Sequence, residues 1–203
     1  DLRDAYPGSL EETILTEVVD NALDSGARSV SLLTDTAEGL LVVKDDGSGM
    51  SRRELSRYHD IAASTKARGE GIGFAGVGIK LGLLVSAEVL TETRRAASHV
   101  ATRWRLASRH KAPWKWVDPP GFLQEQGTAV CLRLRNPLSP LLDGGFIEAA
   151  LQRHFQTLLD SAFDEFLSAQ YPQGVTFRVN GRLLPRHGQP KDAAPLQVKL
   201  PRK

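Results

Sequence analysis

The residues best suited to chemistry begin with an Asn set between carboxylates. In Glu17-Val-Val-Asp-Asn-Ala-Leu-Asp24, Glu17, Asn21 and Asp24 lie four and three residues apart. On a helix they share one narrow stripe. An Asn amide oxygen suits Mg²⁺, which keeps several waters and takes its other ligands from substrate phosphates. A Glu one turn earlier could polarise an attacking water. A second box, Asp45-Asp-Gly-Ser-Gly-Met50, follows the apolar run Leu40-Leu-Val-Val43. An Asp at the end of a buried strand can accept a hydrogen bond from an exocyclic amine such as that of adenine. Gly47 and Gly49 would let a ligand approach the backbone, and Met50 would lie flat against a base.

A third box, Gly69-Glu-Gly-Ile-Gly-Phe-Ala-Gly-Val-Gly78, leads into a helical stretch. Its backbone N–H groups could cradle phosphates at the helix N-terminus, with Lys66 and Lys80 supplying charge. A dinucleotide fingerprint needs such a loop directly after a first strand, and here it follows a polar stretch. A P-loop needs Gly-Lys-Ser/Thr, which is absent. In a fourth box, Gly127-Thr128 opens an apolar strand and places a hydroxyl near the base. Each box alone also has a plain structural reading: a solvated helix face, an Asp-Gly turn, a glycine loop, and strand propensity at Thr128.

These residues need elements to hold them. Ser9 to Ser25 reads as a helix, with a capping box in Ser9-Leu-Glu-Glu12 and a stop at Gly26. Ser29 to Leu33 and Leu40 to Lys44 read as strands. Ser51-Arg-Arg-Glu54 is a second capping box opening a short helix. Ser64 to Gly73 reads as a polar, Gly-rich loop, and Gly78 to Leu84 as a short helix. Strand-like runs follow at Ala87 to Thr93, His99 to Leu106, Trp114 to Val117 and Gly127 to Leu134. Phe146 to Leu167 is apolar at helical spacing and is expected to form one long helix. Val175 to Val179 and Arg182 to Leu184, joined by Asn180-Gly181, form a hairpin signal. The pattern implies an α+β sandwich, its sheet largely antiparallel.

The 203 residues suffice for one substantial domain plus a short extension. Residues 1–186 are expected to form it, with 187–203 a linker or the start of a second domain. The chain opens on Asp1, which suggests a piece of a longer protein. Hydrophobic residues make up 41% and charged residues 25%. The net charge of +2 does not by itself imply nucleic acid or membrane. The one cysteine, Cys131, lies in an apolar run and reads as buried and inert. With no disulfide framework, signal peptide or apolar run of membrane-spanning length, a cytoplasmic location and no membrane partner are expected.

Taken in order, the four boxes resemble the GHKL ATPase superfamily, which includes gyrase B subunits, the ninety-kilodalton heat-shock chaperones, sensor histidine kinases and MutL. The resemblance covers nearly the whole chain. Glu17 to Asp24 is closest to gyrase, and Ile72 to Val85 and the Gly127-Thr128 region look more like the chaperones. Ser64-Thr-Lys66 is similar to the Microrchidia ATPases. The resemblance implies the Bergerat fold: a two-layer α/β sandwich with a mixed, mainly antiparallel sheet and helices on one face. It implies ATP and Mg²⁺ as cofactors and ATP hydrolysis as the activity. Glu17 would be the general base and Asn21 the Mg²⁺ ligand. Asp45 would bind the adenine amine with Thr128 in support. Gly47, Gly49 and Met50 would shape the adenine pocket. Gly73, Gly76, Val77 and Gly78 would form the phosphate-binding lid hinge, near Asp24, Lys66 and Lys80.

Departures from the family pattern narrow the reading. Histidine kinases typically carry Asn at the place of Glu17, which favours hydrolysis over phosphotransfer. Ser48 stands where gyrases carry Arg. In several branches a second domain supplies a Lys or Arg to the γ-phosphate, so the partners implied are adenine nucleotide, further domains of the same protein and a full-length homodimer. A chaperone-like or DNA-associated role stays open. The alternative is a non-hydrolysing nucleotide- or nucleic-acid-binding module. The segment from Arg103 to Trp116 interleaves basic and aromatic residues, as a nucleic-acid surface would. It also reads as a hairpin with Val100, Thr102, Trp104 and Leu106 on one side and Arg103 and Arg105 on the other.

Overall fold

The computed structural model describes residues 9–59, 78–108 and 112–188. Eight strands form one sheet in the order β5-β4-β3-β6-β2-β1-β7-β8. They are β1 (Ser29–Asp35), β2 (Leu40–Asp45), β3 (Ser86–Arg95), β4 (Ser98–Trp104), β5 (Trp114–Val117), β6 (Gly127–Leu134), β7 (Thr176–Val179) and β8 (Arg182–Leu183). Every pairing is antiparallel except β1 with β7. The helices are α1 (Leu10–Asp24), α2 (Arg52–Tyr58), α3 (Gly78–Val85), α4 (Gly144–His154) and α5 (Asp164–Leu167). This is the expected α+β class, consistent with the Bergerat fold.

Strand alternation sorts residues onto two faces. Leu32, Val43, Val130, Thr91 and Thr102 stand in one cross-strand row, and Leu41, Leu132, Val89 and Trp104 in the next. All nine are buried. They meet the apolar faces of the helices, including Ile14, Leu15, Val18 and Val19 of α1 and Ile147 and Leu151 of α4. Each buried Leu or Ile contributes roughly 1.5–3 kcal/mol relative to exposure, which is what holds α1 flat against the sheet.

Helix α1 starts as its sequence implies, with Ser9 Oγ accepting from Glu12 N–H at 3.2 Å. Only half of that capping box forms: the Glu12 carboxylate instead accepts from Arg153 at 2.6 Å and His154 at 3.0 Å at the end of α4. The Ser51–Glu54 box is complete. Asn180 and Gly181 take positive φ of 50° and 81°, as the tight hairpin turn needs. The Asn180 carboxamide then accepts from Thr34 N–H at 2.8 Å, tying that hairpin to β1.

The long helix expected from Phe146 to Leu167 is not one helix. It starts earlier, at Gly144 behind an Asp143 cap, and α4 ends at His154. Two 3-10 turns, Gln156–Leu159 and Ser161–Phe163, precede α5. Asp160 is extended between them (φ −121°, ψ 120°), where its strand-like bridge to His187 holds it. His187 N–H donates to Leu159 C=O at 2.6 Å, and Ser161 N–H to His187 C=O at 3.2 Å. Pairing with a distant segment overrides local helical periodicity here.

Helix α2 is held by an aromatic cluster at its C-terminus. His59 is 4% exposed, stacks on Trp114 at 4.7 Å and meets Trp104 edge-on at 4.7 Å. Its Nε2 lies 2.8 Å from Thr102 Oγ1, and burial lowers its pKa to about 4. Cys131 is buried, and burial pushes its thiol up to about 11. No helix among the described residues is long and apolar enough to cross a membrane.

Candidate functional site

A cleft of about 330 Å³ opens between α1, α2 and the end of the sheet. Helix α1 contributes Asn21 and Asp24 to its lining, β2 contributes Val43 and Asp45, β6 contributes Thr128 and Val130, and the β2–α2 loop contributes Gly49 and Met50. Six residues singled out from sequence are thus brought together: Asn21, Asp24, Asp45, Gly49, Met50 and Thr128. Glu17 is buried at 5% one turn before Asn21 and is not among the lining residues. Lys66, Gly73, Gly76 and Val77 lie outside the described residues, as does the Ser64 to Gly73 loop. Gly78 and Lys80 open α3, whose first three side chains are also outside the described set.

Two cross-strand pairs form the sheet side of the cleft, Asp45 with Thr128 and Val43 with Val130. Asp45 faces Thr128, and Thr128 faces Thr93. Asp45 Oδ1 accepts from Gly47 N–H at 2.9 Å and Thr128 N–H at 3.2 Å. Burial pushes its carboxyl up from 3.8 to about 7, against the pull of those two bonds. Its neighbour Asp46 does different work: Asp46 Oδ1 accepts from Arg28 and Ser29 N–H at 2.7 and 2.8 Å, closing the turn after α1. Thr93 Oγ1 accepts from Met50 N–H at 2.8 Å, donates to Gly127 C=O at 3.1 Å and lies 3.3 Å from Thr128 Oγ1.

The glycines of the second box serve the protein's own packing. A Cβ on Gly47 would sit 1.8 Å from Ser25 Oγ, at the end of α1. One on Gly49, at φ +62°, would sit 2.2 Å from the Arg94 carbonyl oxygen. Gly47 does not line the cleft, whereas Gly49 does. Both glycines are thus required by the protein's own packing against α1 and β3, and Gly49 also borders the cleft. Gly127 is a third such position, at φ +147° with its Cβ direction 2.0 Å from Asp45 C=O. Ser48 N–H donates to Ser25 C=O at 2.9 Å, completing the lock between loop and helix.

Among the lining residues that the sequence did not assign to the site are Glu54, Tyr58 and Arg95. Glu54 and Tyr58 are four apart on α2 and so share a face. Arg95 is two residues past Thr93 on β3 and so shares its face. Arg95 Nη1 donates to both Glu54 oxygens, at 3.0 and 3.1 Å. The i, i+4 spacing of Glu54 and Tyr58 was the available signal; the Arg95 contact needed the sheet register.

Residues 9–121, more than half of the chain, match the family described as histidine kinase-, DNA gyrase B-, and HSP90-like ATPase. The chain belongs to this family. Among curated relatives it is similar to chaperone protein HtpG of Mycolicibacterium gilvum, 29% identical over 128 residues, covering 56% of this chain and 20% of that protein. It is 28% identical over 166 residues to chaperone protein HtpG of Alcanivorax borkumensis, covering 66% and 27%. It is 30% identical over 109 residues to DNA mismatch repair protein MutL of Rhodopseudomonas palustris, covering 50% and 18%. The chain thus spans about a quarter or less of the length of these relatives. Membership supports ATP binding by this domain, and ATPase activity at the level of the family.

Proposed function

We propose that the cleft beside α1 binds Mg-ATP and that the domain hydrolyses it slowly, as the ATPase module of a larger protein. The observation that carries this reading is one cleft lined both by Asn21 and Asp24 of α1 and by Asp45 and Thr128 of the sheet. Asp45 would accept from the adenine amine, with Thr128 beside it and Met50 against the base. Asn21 and Asp24 would address the phosphates. Gly73, Gly76, Val77 and Gly78, with Lys66 and Lys80, would close over them as a lid. Lid closure would pair two copies or signal to further domains, in a chaperone-like or DNA-associated role.

The donor set fits the metal. Asn21 offers an amide oxygen and Asp24 a carboxylate, both lining the cleft. No group of three or more His, Cys, Asp or Glu converges among the described residues. A hard cation that takes its remaining ligands from phosphate and water suits such a site. When bound, Mg²⁺ would neutralise charge on the phosphate oxygens. Glu17 lies on the Asn21 side of α1, so it would serve the phosphate end. It would take a proton from water as the water oxygen bonds to the γ-phosphorus and the β–γ bridging bond breaks, leaving ADP and phosphate.

Calorimetric titration with a non-hydrolysable ATP analogue, with and without Mg²⁺, tests the reading. Binding strengthened by Mg²⁺ supports it, and no heat at millimolar ligand would overturn it for this chain. Asn21→Ala should weaken Mg²⁺-supported binding at least about tenfold while leaving any Mg²⁺-independent binding in place. Wild-type affinity would remove Asn21 from the metal site. Glu17→Ala should keep analogue binding and lose turnover by at least about a hundredfold. Equal turnover in a phosphate-release assay would mean that Glu17 is not the base.

A further inference from the structure

The helices cover one face of the sheet. On the opposite face, cross-strand rows bring cations from five strands together. One row runs Arg178, Ser31, Lys44, Ala129, Glu92, and the next runs Leu33, Val42, Cys131, Leu90, Arg103, Lys115. Arg133 stands beside them on β6, and Arg105 follows β4. The acids on this face are largely spoken for. Glu88 is ringed by Arg103, Arg105 and Arg133 at 3.6, 2.8 and 3.7 Å. Glu92 is fully buried, accepting N–H bonds from Gly121, Phe122 and Leu123 at 3.2, 2.9 and 3.2 Å and lying 2.7 Å from His99 Nε2. Helix α1, across the sheet, carries Glu11, Glu12, Glu17, Asp20 and Asp24 and no basic residue. A net charge of +2 therefore hides an uneven distribution: acids gather on α1, and cations on the part of the opposite sheet face that the Gly121–Leu123 loop leaves open, while α2 adds Arg52, Arg53 and Arg57 on the helical side.

We propose that this face docks the phosphate backbone of duplex nucleic acid, without regard to sequence. From Lys115 on β5 to Arg178 on β7 there are six inter-strand steps, about 29 Å. That approaches one turn of B-form duplex, about 34 Å. Leu33 at the β1 end of the row is 36% exposed, while at the centre of the face Val42 and Cys131 are each 7% exposed and Ala129 is fully buried. Little apolar surface is left there for the anchors a protein partner would need. Base stacking is also excluded as the mode. Trp104, Trp114 and Trp116 share the opposite face, where His59 packs on the first two and the Arg52 guanidinium lies 3.9 Å from the Trp116 ring centre. Basic and aromatic residues interleave in sequence but part to opposite sides of the sheet.

The proposal is independent of the nucleotide reading and is tested apart from it. Two fluorescein-labelled duplexes of unrelated sequence, each about two helical turns, are titrated with the 203-residue chain between about 50 and about 200 mM salt. Equal affinities are expected for both, with log K falling linearly against log salt. The Lys44→Ser, Lys115→Ser, Arg178→Ser variant spares the Glu88 cluster. It should bind at least about tenfold more weakly and lose about one unit of salt slope per cation. The melting temperature and circular dichroism of that variant should match wild type, which shows that it folds. No binding near about 50 mM salt, or undiminished binding by the triple variant, would overturn the proposal. So would binding of polyglutamate as tight as that of duplex at equal charge concentration, since the face would then belong to acidic polypeptides.

Discussion

Asp45→Asn is expected to stabilise the unliganded domain while weakening adenine nucleotides roughly a hundredfold at pH 8. The carboxyl titrates near 7 in the fold and near 3.8 when exposed, because burial disfavours its charge. Between those values the folded state holds a proton that the unfolded state has released, so stability falls as pH rises. The favourable contribution of protonation is complete below about pH 3.8 and gone above about 7. Charged Asp45 thus costs the fold on the order of 3 kcal/mol above neutrality. Asn keeps an oxygen for the Gly47 and Thr128 N–H groups and carries no charge. Its melting temperature should therefore exceed that of wild type at pH 8 and match it near pH 4. Affinity should move the other way. A hydrogen bond between the adenine amine and a carboxylate is worth about 1.5–3 kcal/mol, and Asn can present its N–H₂ to that donor. In wild type, adenine-nucleotide affinity should rise with pH through about 7 as the carboxylate forms. Melting curves and calorimetry of both proteins at three pH values check this; equal pH dependence in the two would remove Asp45 from both roles.

Gly49→Ala and Gly127→Ala should each cost about 3 kcal/mol or more, lowering the melting temperature by roughly 6–12 °C. Both glycines sit at positive φ, and in each case the added Cβ meets rigid backbone, at 2.2 Å from Arg94 C=O and 2.0 Å from Asp45 C=O. Those contacts join β3, β6 and the loop that carries Met50. Relief of the clash must move the cleft floor, so ATP-analogue affinity should fall as well. Gly26→Ala is the control. Its φ is +82° with nothing within 4 Å of the added atom. It should therefore lose only about 1 kcal/mol, the conformational penalty alone. Thermal melts of the three variants decide the matter. Equal losses would mean that close packing at the cleft adds nothing.

Much of the site was legible because its signals are local. Four- and three-residue spacing put Glu17, Asn21 and Asp24 on one stripe of a helix, and Ser9 and Ser51 marked where α1 and α2 begin. Alternation in β4 separated Trp104 from Arg103 and Arg105. Residues distant in sequence were harder. Glu54 and Arg95 form an ion pair beside the cleft across 41 positions, and no spacing rule links them. Glu12 reads as a capping carboxylate until Arg153 and His154 arrive from α4. Phe146 to Leu167 reads as one helix until His187 pairs with the chain at Asp160.

By itself, the sequence determined the helix that carries Asn21, the strand that ends at Asp45, and the family. Periodicity, caps and glycine boxes act over a few residues, and the chain carries them wherever it goes. Tertiary structure decided that Gly47 and Gly49 admit α1 and β3, that Glu92 lies under a loop, and that the Asp45 carboxyl titrates near neutrality. It also gathered the cations of five strands onto one face. Burial and register depend on segments far apart along the chain, and desolvation acts on a charge only after those segments have excluded water.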